Sequence, residues 1–345
     1  MPLTTPLPTT EQRHQDAARQ TPSARSALRI ARTRPSTFAL LLTVALLVAN
    51  AIAQHSFLTP GNWPALIGTL APLVLVALAS TPPILGGGGG IDISVGPLAA
   101  LVNCLFVQVL VPHGVSSAGA AIPILLILGV GVGTVNGLLV VVVRLQPVIA
   151  TLAMFFVLSG IALDVAPNPV TLPAGNWTVR LATSIGGVPG GLVTMAAAAA
   201  IWLGLRRTAY VRTLYAVGSD DVAVFSAGVN VGLVRVGAYM LTGLIGAIAG
   251  IALTAVIQIS EPSLTTTYTL IALAAVSLGG TSFRGGRGGL FGSFLGACSI
   301  FLLQELLPAT GASTNYVQMV YGALLIVGVV IAGLLSPARS GEAHE

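Results

Sequence analysis

The chain has 345 residues, of which 54% are hydrophobic and only 7% are charged. A soluble globular domain carries about 25% charged residues, so this composition excludes a water-soluble enzyme, a disordered chain and a coiled coil, and leaves a polytopic all-α membrane protein. The formal net charge is +5 and all 15 basic residues are arginine, so the chain has no lysine for a phosphate-binding loop or for Schiff-base catalysis.

Residues 1–36 are predicted to form a disordered cytoplasmic tail, because they are rich in Pro, Thr, Gln and Arg and show no apolar periodicity. They do not read as a signal peptide, since the first apolar run begins only near Phe38 and no convincing cleavage site follows it. Basic residues next to a span favour the cytoplasmic side. Four arginines precede this run: Arg25, Arg29, Arg32 and Arg34.

A permease domain of residues 37–335 follows, and a cytoplasmic tail of residues 336–345 ends the chain. The domain contains ten apolar segments with about the length of a membrane-crossing helix. If the N-terminus is cytoplasmic, all the arginines except Arg180 fall at the cytoplasmic ends of these segments, which predicts a multi-pass protein of the bacterial inner membrane with both termini inside. The predicted spans are 37–54, 63–85, 93–112, 119–143, 147–163, 190–205, 233–259, 267–283, 288–307 and 316–335.

The first motif is GGGGGIDISVGP, from Gly86 to Pro97. Five consecutive glycines do not continue a helix cheaply, so the motif predicts a break between two helices. Asp92 and Ser94 then have two interpretations. They cap the next helix at a plain cytoplasmic turn, or they line a polar pathway, as ionisable residues near membrane depth often do.

A second motif, GVGVGTVNGLLV, spaces Gly129, Gly133 and Gly137 four residues apart. This spacing forms one smooth helix face and predicts close approach of another helix. Asn136 lies within the same apolar helix. It either bonds a neighbouring helix or faces the transported solute, and the first role is favoured.

Residues 206–232 form the one long cytoplasmic connection. Asp220 and Asp221 precede a short amphipathic helix that Gly228 is predicted to close in a left-handed conformation. This helix either lies on the lipid headgroups or docks on a cytosolic partner.

A second glycine-rich turn lies between Ile271 and Ala297, and Arg284 and Arg287 are predicted to hold it on the cytoplasmic side. No strand precedes it, so a nucleotide-binding loop is a poor interpretation. Cys104 and Cys298 both lie in apolar runs, which indicates buried structural thiols. We expect no metal site and no nucleic-acid partner.

Four stretches together carry a family resemblance: GGIDISVG, PVIATLAMFFVLSG, LYAVGSDDVAVFSAGVNV and LGGTSFRGGRGG. In their order and spacing the chain resembles the ribose-type monosaccharide ABC permease family, from about Phe57 to Gly333. Branched-chain amino-acid permeases share the general layout more distantly.

The resemblance implies a fold like that of type II ABC importer permeases and a role for three sets of residues. The substrate pathway would include Asp92, Ser94, Asn136 and Gln304. The segment that couples to the ATPase would include Gly218, Asp220, Asp221, Ala223, Ser226 and Gly228. The structural glycine turns would be Gly86, Gly90, Gly279, Gly280, Gly285, Gly286 and Gly288.

The same resemblance implies a cytosolic ATPase that holds ATP and Mg²⁺, a periplasmic sugar-binding protein, a second permease copy or paralogue, and surrounding lipid. No cofactor is expected on this chain. Departures from the family pattern bear on the solute: two acids of the family are lost near Thr269 and Ile271, and its usual Asn-Gly pair is replaced by Gln304-Glu305. These changes favour a neutral monosaccharide or polyol.

Two other classes are weighed against this one. An ion-coupled secondary transporter generally carries acids within its spans, and here only Asp92 and Glu305 approach membrane depth. The sequence does not favour a membrane-embedded hydrolase, because such an enzyme would need a catalytic histidine or similar group within its spans and the four histidines lie in tails or at loop edges.

Overall fold

The computed structural model of the chain describes residues 36–309 and, beyond them, Gly311, Met319, Gly322, Ala323 and Ile326. The predicted tails, apart from Ser36, and most of the tenth predicted span lie outside the described residues. The described helices are α1 Thr37–Ala53, α2 Trp63–Leu85, α3 Val95–Leu105, α4 Ala118–Val141, α5 Pro147–Val165, α6 Thr178–Ala182, α7 Gly190–Arg206, α8 Ala209–Ser219, α9 Asp221–Ser226, α10 Val231–Ile257, α11 Thr265–Leu278 and α12 Leu290–Ala309.

The all-α class is confirmed, with one small exception. A hairpin of two-residue strands, β1 Ser184–Ile185 and β2 Val188–Pro189, precedes α7. In addition, a π-helical turn at Phe106–Leu110 continues α3.

Five of the described helices, α2, α4, α5, α10 and α12, are long and apolar enough to cross a membrane by length and composition. Four shorter apolar helices, α1, α3, α7 and α11, lie at four further predicted spans. The end of α11 differs from the sequence prediction, which places the end of that span at residue 283. The helix ends at Leu278 because Gly279 and Gly280 follow it, and Gly280 adopts a φ of 77° that no right-handed helix contains.

The long helix α10 lies at the centre and packs against α2, α3 and α4. The predicted smooth face of α4 is confirmed. A Cβ atom added to Gly129 or Gly133 would meet the backbone of α10 at Gly243 or Tyr239, and one on Gly137 would lie 3.0 Å from the Cα of Val236. The backbones of α4 and α10 therefore touch along this face, as small residues permit between membrane helices.

The connection 206–232 contains two helices, of which the sequence predicts only the second. The unpredicted helix, α8, buries Val211, Leu214 and Val217, which follow one another at three-residue intervals on one face. Thr208 caps it by accepting a hydrogen bond from the N–H of Tyr210 at 3.2 Å. This connection is thus a folded segment packed on the ends of the long helices.

Candidate functional site

The first glycine break reverses the chain between α2 and α3. Gly86 is the residue after α2, and the next three residues have φ values of 67°, 63° and 73°. A residue with a Cβ is strained in this left-handed region, so glycine is required at several consecutive positions. At the end of the break, Gly90 lies so close to the carbonyl of Pro83 that a Cβ atom would overlap it.

Three of the proposed pathway residues form one buried hydrogen-bond network directly after this break. Asp92 is 3% exposed, Ser94 is 1% exposed and Asn136 is fully buried. The hydroxyl and the N–H of Ser94 donate to Asp92 Oδ1 at 2.6 and 2.8 Å. From α4, the amide of Asn136 donates to Ser94 Oγ at 2.8 Å and to Asp92 Oδ2 at 3.4 Å.

The expected capping role of Asp92 and Ser94 takes a different form in the structure. Ser94 stands at the N-cap position of α3, but its side chain accepts no hydrogen bond from the helix. Its hydroxyl instead donates to Asp92, because the carboxylate lies within reach two residues earlier. The two side chains therefore bond each other and α4, and the first turn of α3 receives no side-chain cap.

Two threonines hold the backbone on either side of Asp92. Thr151 on α5 donates to the carbonyl of Ile91 at 3.2 Å, and Thr269 on α11 donates to the carbonyl of Ile93 at 3.1 Å. Sequence reasoning missed this role, although a hydroxyl inside an apolar span is the signal that marks both positions. The network is thus fixed from four elements: α3, α4, α5 and α11.

Gln304, the fourth proposed pathway residue, lies elsewhere. It lies on α12, about 20 Å along the helix axis from Leu290, the first residue of that helix. This part of α12 packs beside α1, where Asn50 donates to the carbonyl of Leu302 at 2.8 Å and Gln54 donates to the carbonyl of Glu305 at 3.0 Å. The structure therefore brings three of the four residues together and leaves Gln304 apart from them.

The proposed coupling segment begins α9 with a side-chain cap. The carboxylate of Asp220 accepts the N–H of Ala223 at 3.0 Å, and Ser226 closes the turn by donating to the carbonyl of Val222 at 2.9 Å. Gly228 follows with a φ of 84°, which confirms the predicted left-handed conformation. Asp221 forms a 2.9 Å ion pair with Arg235 at the start of α10.

Helix α9 presents two large apolar side chains to its surroundings. Val222 and Phe225 are each 71% exposed. They lie three residues apart on one face of the helix, so the described part of the chain leaves an apolar patch uncovered there.

The second glycine-rich turn joins α11 to α12 and also uses left-handed backbone. Positive φ values occur at Gly280, Gly285, Gly286, Gly288 and Gly289. Gly279 itself has no positive φ, but a Cβ on it would overlap the backbone of Gly292 on α12. The turn is therefore a tightly packed loop on α12.

The two glycine turns and the coupling segment meet at one point, which we call the glycine junction and define by Leu85, Gly87, Gly218, Gly285 and Gly286. The N–H of Gly286 donates to the carbonyl of Leu85 at 3.0 Å. A Cβ on Gly218 would overlap both of these backbone groups, and one on Gly285 would overlap Gly87. Sequence analysis singled out all three segments but gave no indication that they touch.

Two tyrosines of α8 add hydrogen bonds around the junction. Tyr215 donates to the carbonyl of Gly288 at 2.9 Å, and Tyr210 donates to the carbonyl of Val234 on α10 at 3.0 Å. Burial raises the pKa of both phenols, and for Tyr215 the nearby charge of Arg206 acts in the opposite direction. Both hydroxyls therefore stay protonated and able to donate at neutral pH.

Comparison with known proteins shows where this arrangement belongs. Residues 64–329 match the family model described as branched-chain amino acid transport system / permease component. The chain belongs to this permease family. It is 35% identical over 294 residues to the ribose import permease protein of Bacillus subtilis strain 168, an alignment that covers 83% of this chain and 89% of the relative.

Two further relatives are also sugar import permeases and are matched over most of their length. The ribose import permease protein of Escherichia coli K12 is 33% identical over 303 residues, covering 84% of this chain and 91% of its own. The fructose import permease protein of Rhizobium meliloti is 30% identical over 305 residues, covering 85% of this chain and 83% of its own. No solved structure matches the chain. The permease is a multi-pass membrane protein and a transport subunit, not an enzyme.

Proposed function

We propose that this permease is the membrane subunit of an ATP-driven importer for a neutral monosaccharide, such as ribose, xylose or arabinose, or for a polyol. The observation that carries the proposal is the similarity to ribose and fructose import permeases over 83 to 85% of the chain. A similarity of this extent covers the glycine breaks, the buried network and the coupling segment together.

The polar groups of the proposed pathway suit a neutral solute. Ser94, Asn136 and Gln304 offer hydroxyl and amide groups, which bond sugar hydroxyls without burying net charge. Both oxygens of Asp92 are engaged by Ser94 and Asn136, so this carboxylate acts as a fixed polar wall and not as a free cation ligand. The side chains of this network are buried in this conformation, so a solute would reach them only if the surrounding helices moved.

The proposed architecture is that of a type II ABC importer permease with ten spans, paired with a second copy or a paralogue in the bacterial inner membrane. We place both termini and the glycine junction on the cytoplasmic side. The arginines support this orientation, because Arg144 and Arg235 line a cavity beside the first glycine break and the backbone of Arg284 lies next to Gly87. This end therefore carries the positive charge that the cytoplasmic side favours.

The coupling segment is the proposed docking site for a cytosolic ATPase, which holds ATP and Mg²⁺, while a periplasmic sugar-binding protein delivers the solute on the other side. Exposed Val222 and Phe225 would enter a groove of the ATPase as helix anchors. ATP binding to the partner would favour one conformation of the permease, and Gly218 would carry the displacement of α8 to both glycine turns. This chain would hold no cofactor and bind no nucleic acid, and its remaining surface would contact lipid.

Reconstitution into proteoliposomes tests the proposal. With the binding protein outside and the ATPase and ATP inside, vesicles should accumulate labelled sugar, and leaving out either partner should abolish accumulation. The permease alone, given a proton or sodium gradient, should accumulate nothing. Sugar uptake driven by such a gradient would identify an ion-coupled secondary transporter instead.

A branched-chain amino acid is the second candidate solute, because the description of the family model names that class. The same vesicles separate the two solutes. Labelled leucine should not accumulate with a sugar-specific binding protein, and an amino-acid-binding protein should not stimulate ATP hydrolysis. Stimulation by the amino-acid-binding protein alone would change the solute while leaving the ATP-driven mechanism in place.

A further inference from the structure

An open cavity of about 200 Å³ lies beside the first glycine break and is lined by the end of α2, the connection between α4 and α5, and the first turns of α10. The polar side chains on its wall are those of Arg144, Arg235 and Tyr239, and the backbone of Gly88 lines it beside them. No acidic residue lines it within the described part of the chain. The cavity therefore offers hydrogen-bond donors and positive charge.

Two donor atoms of these residues have no acceptor. The Nε of Arg235 and the hydroxyl of Tyr239 are buried, and neither finds a hydrogen-bond partner among the described residues. Tyr239 is only 2% exposed. A buried donor without a partner costs free energy, and an acceptor that came within hydrogen-bond reach of these two groups would recover that cost.

The two nearest carboxylates do not supply that acceptor. Asp221 binds Arg235 through Nη2 at 2.9 Å from outside the cavity and is half exposed, which leaves the Nε of the same guanidinium unpaired. Asp92 lies behind the wall, where both of its oxygens accept hydrogen bonds from Ser94 or Asn136. Each guanidinium has five N–H donors, so Arg144 and Arg235 keep further bonds to give.

Two residues of the cavity wall, Arg144 and Gly88, have left-handed backbone. Arg144 lies in the connection between α4 and α5 and lines the cavity. Its φ of 62° is costly for a residue with a Cβ. Gly88, with a φ of 63°, lies so close to Arg235 that a Cβ would be 2.7 Å from Nη2. The backbone at Gly88 can therefore approach a ligand bound by the arginine.

We propose that this cavity is a binding site for a phosphate-class oxyanion. Two guanidinium groups, a phenol hydroxyl and a glycine N–H match the several acceptor oxygens of a phosphate, and arginine binds such oxygens in a bidentate manner. The space holds a phosphate group with a small substituent, so a free phosphate, a phosphorylated small metabolite or a lipid headgroup would share this chemistry. None of the proposed pathway residues lines the cavity, and the proposal does not depend on which solute is carried.

Binding of labelled inorganic phosphate to the purified full-length permease tests the proposal. Wild-type protein should bind in a saturable manner that unlabelled sulfate competes away. Arg144→Asn should weaken binding about tenfold or more, since a charged hydrogen-bond donor is lost, while Asn still accepts the left-handed backbone. Tyr239→Phe should weaken it roughly threefold. Arg287→Asn is the matched control, because Arg287 is exposed and does not line the cavity.

Two further arms identify the source of the phosphate. A pentose 5-phosphate that displaces labelled phosphate from protein in phosphatidylcholine nanodiscs would assign the site to a soluble anion. Protection against thermal unfolding that appears only in phosphatidylglycerol nanodiscs, and that Arg144→Asn removes, would assign it to a headgroup. The proposal fails if no probe binds or protects, or if Arg287→Asn weakens binding as much as Arg144→Asn.

Discussion

The N–H of Gly286 in the second glycine turn donates a 3.0 Å hydrogen bond to the carbonyl of Leu85 at the end of α2. This bond joins the two glycine turns directly. Gly218 of the coupling segment lies against both bonded groups, so α8 cannot shift without moving the pair. The glycine junction is therefore the point at which a displacement of the coupling segment would reach both halves of the chain.

The junction predicts that Gly218→Ala destabilises the protein, although alanine is the better helix former. The added Cβ would overlap the Leu85 carbonyl, and overpacking of this kind costs roughly 1–3 kcal/mol. Gly204→Ala on α7 is the control, since no atom of the described residues lies within 4 Å of its Cβ and the change should stabilise by about 0.5–1 kcal/mol. Thermal unfolding in detergent measures both. Equal stabilisation by the two substitutions would contradict the packing at the junction.

Gly228→Val should uncouple transport from ATP hydrolysis while leaving membrane insertion intact. A β-branched residue is strained at a φ of 84°, at a cost of about 1–3 kcal/mol, and no atom of residues 36–309 lies within 4 Å of a Cβ added there. The exit of α9 should therefore change direction. Gly228→Asn is the matched variant, because asparagine tolerates the left-handed region. Copurification with the ATPase and sugar-stimulated hydrolysis should fall for the valine variant alone, and normal hydrolysis by it would refute the docking role.

Local pattern accounts for most of what the sequence predicts correctly. The first nine apolar segments have the length and composition of membrane-crossing helices, and all nine contain helices. The four-residue spacing of the glycines in α4 predicts a close contact with another helix, and the structure has this contact with α10. The left-handed conformation of Gly228 is likewise predictable from local pattern, since this glycine stands two residues after the last residue of a short amphipathic helix.

The remaining features depend on which segments become neighbours in space. The contact of Gly218 with Leu85 and Gly286 joins three segments that are distant in the sequence. Contacts between distant segments cannot be predicted from the local pattern of a single sequence. The bonds from Thr151 and Thr269 to the loop around Asp92 are equally non-local. The sequence does not predict α8, because Arg206, Arg207 and Arg212 lie in or just before it and indicate a surface loop.

The buried network predicts different outcomes for two substitutions of Asp92. Asp92→Ala removes the acceptor for the N–H and hydroxyl of Ser94 and for the Asn136 amide, and each buried donor left unpaired costs about 1–3 kcal/mol. We expect lower thermal stability and at least about tenfold slower sugar uptake. Asp92→Asn keeps one acceptor oxygen for Ser94 and should retain most of the stability. Wild-type stability and uptake in the alanine variant would show that the network is dispensable.

The apolar patch on α9 predicts that Phe225→Ala weakens association with the ATPase. Phe225 is 71% exposed, and removing a buried aromatic anchor typically costs a complex about 2 kcal/mol or more. Phe291→Ala is a matched control, because Phe291 is 64% exposed in the first turn of α12 next to the second glycine turn. The measurement is the affinity of the detergent-solubilised permease for the ATPase. Equal affinities for both variants would remove α9 as the docking element.

The proposed orientation predicts that cysteines at positions 184 and 219 are labelled from opposite sides of the membrane. Ser184 in β1 and Ser219 at the end of α8 are both exposed, whereas the native Cys104 and Cys298 are buried and are replaced by alanine in the background chain. In intact cells an impermeant maleimide that reaches the periplasm should label Ser184→Cys and leave Ser219→Cys unlabelled until the inner membrane is opened. This assignment rests on the arginines around the glycine junction, which favour the cytoplasmic side. Arg180 on α6 is the exception, because it lies near Ser184 on the proposed periplasmic side. Labelling of both positions from the periplasm would overturn the ten-span topology with cytoplasmic termini.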